Sequence, residues 1–259
     1  MIFYLKTRKY RFELKHLLVG TIVCITPMLM FTAGEGVEPS PFSDPGTLIA
    51  VRGPNLPSVF EPSGIVWHRR LQRVLVVDDN GKLATMDSEG KDVVIWDVGN
   101  SDLEAVTVAN PESDFVYVGV EQNPISIQEF NLAEGQMTRM FDLEPWLSGY
   151  ANEGLEGLTF VPDADDVEGG RFYVGIQATG EIHVFSLPVL SSSPNTEVTF
   201  VESIIPENQM TDLSGLYYCL QNDILYAIYD SFNVMVGMDR EGVTLKAWQL
   251  PGNDQEGFA

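Results

Sequence analysis

A short phrase returns five times along this chain, and that recurrence limits the fold more than any other feature. It appears as Pro62-Ser63-Gly64-Ile65-Val66-Trp67, Leu103-Glu104-Ala105-Val106-Thr107-Val108, Leu155-Glu156-Gly157-Leu158-Thr159-Phe160, Leu213-Ser214-Gly215-Leu216-Tyr217-Tyr218 and Gln255-Glu256-Gly257-Phe258-Ala259. Each copy has Ser or Glu, then a small residue, then an apolar run. The key positions 63, 104, 156, 214 and 256 are separated by 41, 52, 58 and 42 residues. Periods of about 40–50 residues belong to the blades of propellers.

The segments after each phrase are alike too. A second strand-like run comes next, as in Val74-Leu75-Val76-Val77 and Phe115-Val116-Tyr117-Val118. A third lies beyond a polar turn, as in Lys82-Leu83-Ala84-Thr85-Met86 and Glu181-Ile182-His183-Val184-Phe185. Glu89-Gly90 and Glu241-Gly242 lead to a fourth, Val93-Val94-Ile95-Trp96 and Leu245-Lys246-Ala247-Trp248. Short strands with turn chemistry between them predict a four-stranded antiparallel blade. A single blade cannot bury both faces, so blades must stack around an axis.

The predicted fold is therefore all-β: a β-propeller of about five four-stranded blades, preceded by an N-terminal hydrophobic helix. The long third period comes from insertions, Asp163-Ala164-Asp165-Asp166-Val167-Glu168-Gly169-Gly170 and Ser191-Ser192-Ser193-Pro194-Asn195. The first resembles a calcium loop only superficially, because the later ligands and flanking helices are missing. It reads as a solvated hairpin loop. Gly46–Val51 is strand-like and is expected as the outer strand of the last blade. That blade holds only Glu256 to Ala259 of its repeat, so a C-terminally incomplete propeller is expected, with an exposed strand edge.

The first 34 residues carry a different signal. Lys6, Arg8, Lys9, Arg11 and Lys15 precede an apolar run from Leu17 to Phe31. That order suits an export signal whose start stays in the cytoplasm. The run is near the lower limit of the roughly 17–25 residues needed to span a bilayer. Thr32-Ala33-Gly34 also offers a cleavage site, so signal anchor and removed signal peptide both stay open. Residues 35–45 are read as a linker and 46–259 as the propeller domain, on the extracytoplasmic side of the membrane. Cys24 and Cys219 lie in such different segments that a disulfide between them is not expected.

Charge narrows the partners. The chain carries a formal −22, concentrated after the basic leader. So acidic a domain repels phosphate backbones, which argues against nucleic acid.

The phrases resemble the SdiA-regulated family of YjiK-like bacterial envelope proteins. The resemblance rests on Pro62-Ser63-Gly64-Ile65, Asp102-Leu103-Glu104-Ala105-Val106, Asn152-Glu153-Gly154-Leu155-Glu156-Gly157-Leu158, Asp212-Leu213-Ser214-Gly215-Leu216 and Gln255-Glu256-Gly257. It implies a propeller outside the inner membrane, tethered by its N-terminal segment. It implies no assigned activity.

In a blade, the start of the first strand and the end of the second lie on one face of the disc. Glu104, Glu156 and Glu256 start first strands, in places equivalent to Ser63 and Ser214. Asp78-Asp79, Glu121, Gln177 and Asp230 end second strands. One face should gather carboxylates around the channel mouth, where they repel unless a cation neutralises them. Oxygen ligands suit Ca²⁺. The candidate metal ligands are Glu104, Glu156, Glu256, Asp79, Glu121 and Asp230. The competing reading gives the repeated Ser and Glu a structural task, bonding exposed backbone N–H groups of neighbouring blades.

No catalytic residues stand out. His16, His68 and His183 have no metal-ligand spacing, and the Gly-x-Ser-x-Gly elbow is absent. Trp67, Trp96 and Trp248 read as core, and Trp146 as a linker residue over a loop or a ligand. The function expected is a binding module for a small ligand, an ion or an envelope protein. The alternative is a Ca²⁺-dependent hydrolase of the lactonase or phosphoesterase type, by fold analogy alone.

Overall fold

A computed structural model describes residues 2–6, 17–20, 47–50, 56, 60–99, 102–150, 152–191, 194–250 and 255–258. Near the N-terminus it gives strands β1 (Ile2–Lys6), β2 (Leu17–Gly20) and β3 (Thr47–Ala50). The first blade is β4 (Pro62–His68), β5 (Arg73–Asp78), β6 (Lys82–Met86) and β7 (Val94–Asp97). The second is β8 (Leu103–Thr107), β9 (Phe115–Val120), β10 (Ser126–Asn131) and β11 (Gln136–Asp142), with the one-turn helix α1 (Glu144–Leu147) after it. The third is β12 (Leu155–Pro162), β13 (Gly170–Ile176), β14 (Ile182–Ser186) and β15 (Thr199–Ile204). The fourth is β16 (Leu213–Cys219), β17 (Ile224–Tyr229), β18 (Val234–Met238) and β19 (Thr244–Gln249). A last strand, β20, spans Gln255–Phe258.

Each of these four sheets is an antiparallel meander in chain order. The all-β propeller expected from the repeat is present as four blades.

Burial explains why the strands differ in composition. Adjacent blades cover the inner and middle strands on both faces. Thus all of β8 is buried, and all of β9 except Phe115. A strand covered on both sides needs apolar residues without alternation. The outer strand β11 alternates instead, with Met140 exposed between buried Arg139 and Phe141.

The core is divided among the blade interfaces. Val66, Leu75, Leu83, Val106, Val118 and Phe130 fill the space between blades one and two. Tyr117, Ile127, Leu158, Phe172 and Phe185 do so between two and three, and Val161, Tyr173, Leu216 and Tyr229 between three and four.

At the axis the inner strands approach so closely that side chains hardly fit. A Cβ on Gly64 would lie 2.7 Å from the Ala105 Cα, and one on Gly157 2.8 Å from the Leu216 Cβ. A Cβ on Gly215 would lie 2.7 Å from the Gly257 Cα. This is why the phrase carries a small residue after its Ser or Glu.

The rim is tied by a buried ion pair. Arg139 on β11 bonds Glu129 on β10, and both side chains are almost fully enclosed. Tyr117 and Thr138 also donate to Glu129. The guanidinium then donates to the carbonyls of Pro188 (2.7 Å) and Asn195 (3.2 Å), in the connection between β14 and β15. The Asp163–Gly170 insertion is a hairpin loop as expected, and its Glu168 accepts the backbone N–H groups of Leu190 and Ser191.

The expected N-terminal helix is not supported where the chain is described, and the rest of the apolar run, from Thr21 to Phe31, lies outside the described residues. Leu17–Gly20, the start of the apolar run, is strand, paired with β1 and β3. Backbone pairing joins β20, β1, β2 and β3 into one sheet, so β20 has a partner along the edge expected to be bare. An edge strand presents a row of unsatisfied N–H and C=O groups that any extended segment can pair. The expected fifth blade is likewise not established. Only its inner strand, at Gln255–Gly257, lies there with described side chains. No helix among the described residues is long and apolar enough to cross a membrane. Cys24, His16 and most of residues 7–46 lie outside the described residues.

Substitutions at the hub and at His68 test this packing. Gly215→Val forces atoms into the backbone of Gly257 and should lower Tm by roughly 5 °C or more in a thermal melt, since overpacking costs about 1–3 kcal/mol. Gly149→Ala, with open space around it, should leave Tm unchanged. His68 is fully buried, and burial holds its pKa below the ordinary value. The folded chain thus favours the neutral ring, so stability is present above pH about 6.5 and falls as acid charges the unfolded form. His68→Leu should flatten that fall in melts compared at pH about 7.5 and 5.

Candidate functional site

The repeated Ser or Glu marks an irregularity of the sheet that the sequence does not reveal. In blade one Pro62 pairs with Asp78 and Gly64 with Val77, leaving Ser63 opposite no residue. The same shift occurs at Glu104, Glu156 and Ser214. A β-bulge of this kind bends the strand and re-aims the extra side chain. Four bulges at one level turn these residues toward one end of the axis.

The serines and the glutamates then part company. Ser63 Oγ donates to the carbonyl of Leu103, and Ser214 Oγ donates to that of Gln255 at 2.7 Å. Each hydroxyl thereby ties its inner strand to the next. The structural task foreseen for these positions is real for serine, with one correction: the partner is a backbone carbonyl, not an N–H.

The residues that end the second strands also reach forward. Glu121 Oε1 accepts the Gly154 N–H at 2.7 Å, and Asp230 Oδ1 accepts the Gln255 N–H at 2.6 Å. In the third blade, Gln177 donates its side-chain amide to Asp212 (3.1 Å), and its carbonyl accepts the Asp212 N–H (2.7 Å). Asp230 is thus occupied in holding β20 against blade four.

The remaining acids crowd together. Glu104 is 8% exposed and lines the axial cavity with Glu156, Gly64, Ala105, Gly157 and Gly257. Burial raises its pKa far above the carboxylate range, and Glu156, Asp79, Asp102 and Glu256 add to the rise. Asp79 is pushed up to about 7, by burial first and then by Asp102 and Glu61. Single carboxylate oxygens of Asp102, Glu104 and Glu121 lie within 4.8 Å of one another. Gln122 donates to Asp102 and to the side-chain carbonyl of Asn152, both at 2.7 Å.

Five of the six candidate ligands therefore belong to one neighbourhood: Glu104, Glu156, Glu256, Asp79 and Glu121. Asp102 was missed, although it stands in the phrase two residues before Glu104. Its signal was Asp212, the same residue type at the same place in the fourth phrase.

What the arrangement can do is set by size and donor type. The axial cavity has room for about 10 Å³, enough for one water or ion. Its charged donors are all carboxylates, the set that suits a hard cation. Among the described residues histidine is not part of it, since His68 ends β4 at the opposite face and His183, on β14, bonds the neighbouring Glu181. Trp146 stacks on Phe200 and meets Phe185 edge-on, packing α1 onto blade three.

The fold has many relatives of known structure. Kuenenia stuttgartiensis hydrazine synthase is 18% identical, with a TM-score of 0.47 over 77% of this chain and 52% of that one. Myxococcus xanthus glutaminyl cyclase is 15% identical, with a TM-score of 0.53 over 74% of this chain and 71% of that one. A Bacteroides thetaiotaomicron protein of unknown function is 12% identical, with a TM-score of 0.48 over 75% and 44%. The chain thus spans about half the length of the first of these. At such identities the likeness concerns the fold alone. No curated protein matches the sequence. The sequence profile of the SdiA-regulated family matches residues 59–257, which hold all four blades and the start of β20, and the chain belongs to that family.

Proposed function

We propose that this chain is an exported propeller module, five inner strands around, that binds rather than transforms its ligand and takes up Ca²⁺ at an acidic channel mouth. The observation that carries the reading is the convergence of Glu104, Glu156, Glu256, Asp79 and Asp102 on one end of the axis. Like charges at that range oppose one another, and a divalent cation relieves the opposition. A further ligand or an envelope protein at this face would be one with cationic groups, which its charge favours.

Five inner strands are supported by the position of β20. Gly257 lies against Gly215 of blade four on one side and against Ile65 and Gly64 of blade one on the other. A hydrolase at the same mouth is the weaker alternative, because a catalytic metal needs open positions and a nearby base. The room beside Glu104 suits an ion and not an organic substrate.

Export and a membrane tether are read from the basic leader and the apolar run to Phe31. The pairing of Leu17–Gly20 into a sheet is the observation that competes with them. In the tethered form those residues leave the sheet for the bilayer, and the leader stays cytoplasmic.

Calorimetric titration of CaCl₂ into the protein should show saturable uptake, and Glu104→Gln should weaken it at least tenfold. Absence of heat in the unaltered protein ends the calcium reading. Fractionation of cells expressing the full chain should place it in the membrane fraction, with the propeller digestible by protease added from outside. Recovery in the cytosol overturns the tether.

A further inference from the structure

Glutamate and serine occupy the same bulge, yet the ionised form of glutamate cannot do what serine does there. Its hydroxyl donates to the carbonyl of the next inner strand, at Leu103 from Ser63 and at Gln255 from Ser214. An ionised carboxylate only accepts, and Glu104, which as a neutral acid could donate, makes no such bond among the described residues. The joins after blades two and three begin at Glu104 and Glu156, and they lack the hydroxyl.

Glu104 meets this difficulty most sharply. It is about nine-tenths buried and faces the axial cavity. Among the described residues its side chain makes no hydrogen bond and no ion pair, and its strongest charge contacts are with other acids. Crowding like charges in a largely enclosed space is costly. A hard cation resolves both defects at once, since Ca²⁺ takes carboxylate and backbone carbonyl oxygens in one shell at about 2.3–2.6 Å. Asp102 and Glu121 supply further oxygens beside Glu104.

We propose that a calcium ion held at Glu104, with Asp102 and Glu121, replaces the missing serine hydroxyl and joins inner strand β8 to β12, so that this seam of the ring is metal-dependent where the serine seams are not. The inference rests on the calcium reading above and adds to it a location and a mechanical consequence.

The test compares the unaltered protein with Glu104→Ser and Glu104→Gln, each of which can donate to a carbonyl. Thermal melts are run in EDTA and in CaCl₂ at 100 times the calorimetric Kd. The unaltered protein should gain about 5 °C or more in Tm with calcium. Its amide exchange should slow over Leu155–Pro162 before it slows over Leu213–Cys219. Both variants should melt higher than the unaltered protein in EDTA and lose most of the calcium-dependent gain.

Either variant keeping the full gain overturns the proposal, as does a loss of stability by both in EDTA. Calcium uptake by calorimetry with no rise in Tm overturns this inference while leaving the binding reading intact. No uptake at all removes both. Should Glu104 instead bridge as a neutral acid, calcium leaves every melt unchanged, which counts against the proposal.

Discussion

Close approach of backbones around the axis is the constraint on which the molecule depends. Gly64, Ala105, Gly157, Gly215 and Gly257 occupy equivalent positions, and a larger residue at Gly64, Gly157 or Gly215 would meet a neighbouring strand. Because the inner strands meet there, each sheet turns both faces to its neighbours. The apolar clusters then form between blades and not within one layer. Close packing at the centre and burial on both faces are one condition seen at two radii.

That condition also creates the electrostatics. The bulge beside each small residue throws its extra side chain toward the same end of the axis. Where the residue is serine, the seam gains a hydrogen bond. Where it is glutamate, carboxyl groups crowd into a space with little water, and burial and acidic neighbours push the Glu104 pKa upward. The acidic mouth is thus a by-product of repetition, exaggerated by the choice of side chain.

Much of the fold was legible because periodicity needs no tertiary knowledge. Four strands per period, the turns between them and the shared level of Glu104 and Glu156 all come from spacing. The bulge was not legible, since an unpaired residue looks like any other in an alternating run. Asp102 was passed over for a similar reason: its approach to Glu121 depends on where β9 ends beside the entry to β8. The apolar stretch from Leu17 is ambiguous in another way. Leu, Val and Gly suit a bilayer helix and a sheet alike, and hydropathy does not tell which set of backbone partners will be met.

The clamp formed by Arg139 gives the longest repeat a meaning beyond its length. The guanidinium belongs to blade two, but two of its donors end on carbonyls of Pro188 and Asn195 in the connection after β14. That connection therefore works as a strap, fastened to the preceding blade at the rim while the inner strands are fastened at the hub. Two fastenings at different radii resist twisting of blade three against blade two, which a single point of attachment would allow. Trimming the strap to the length of its counterparts would take two carbonyl acceptors from a buried guanidinium and leave the pairing with Glu129 to hold it.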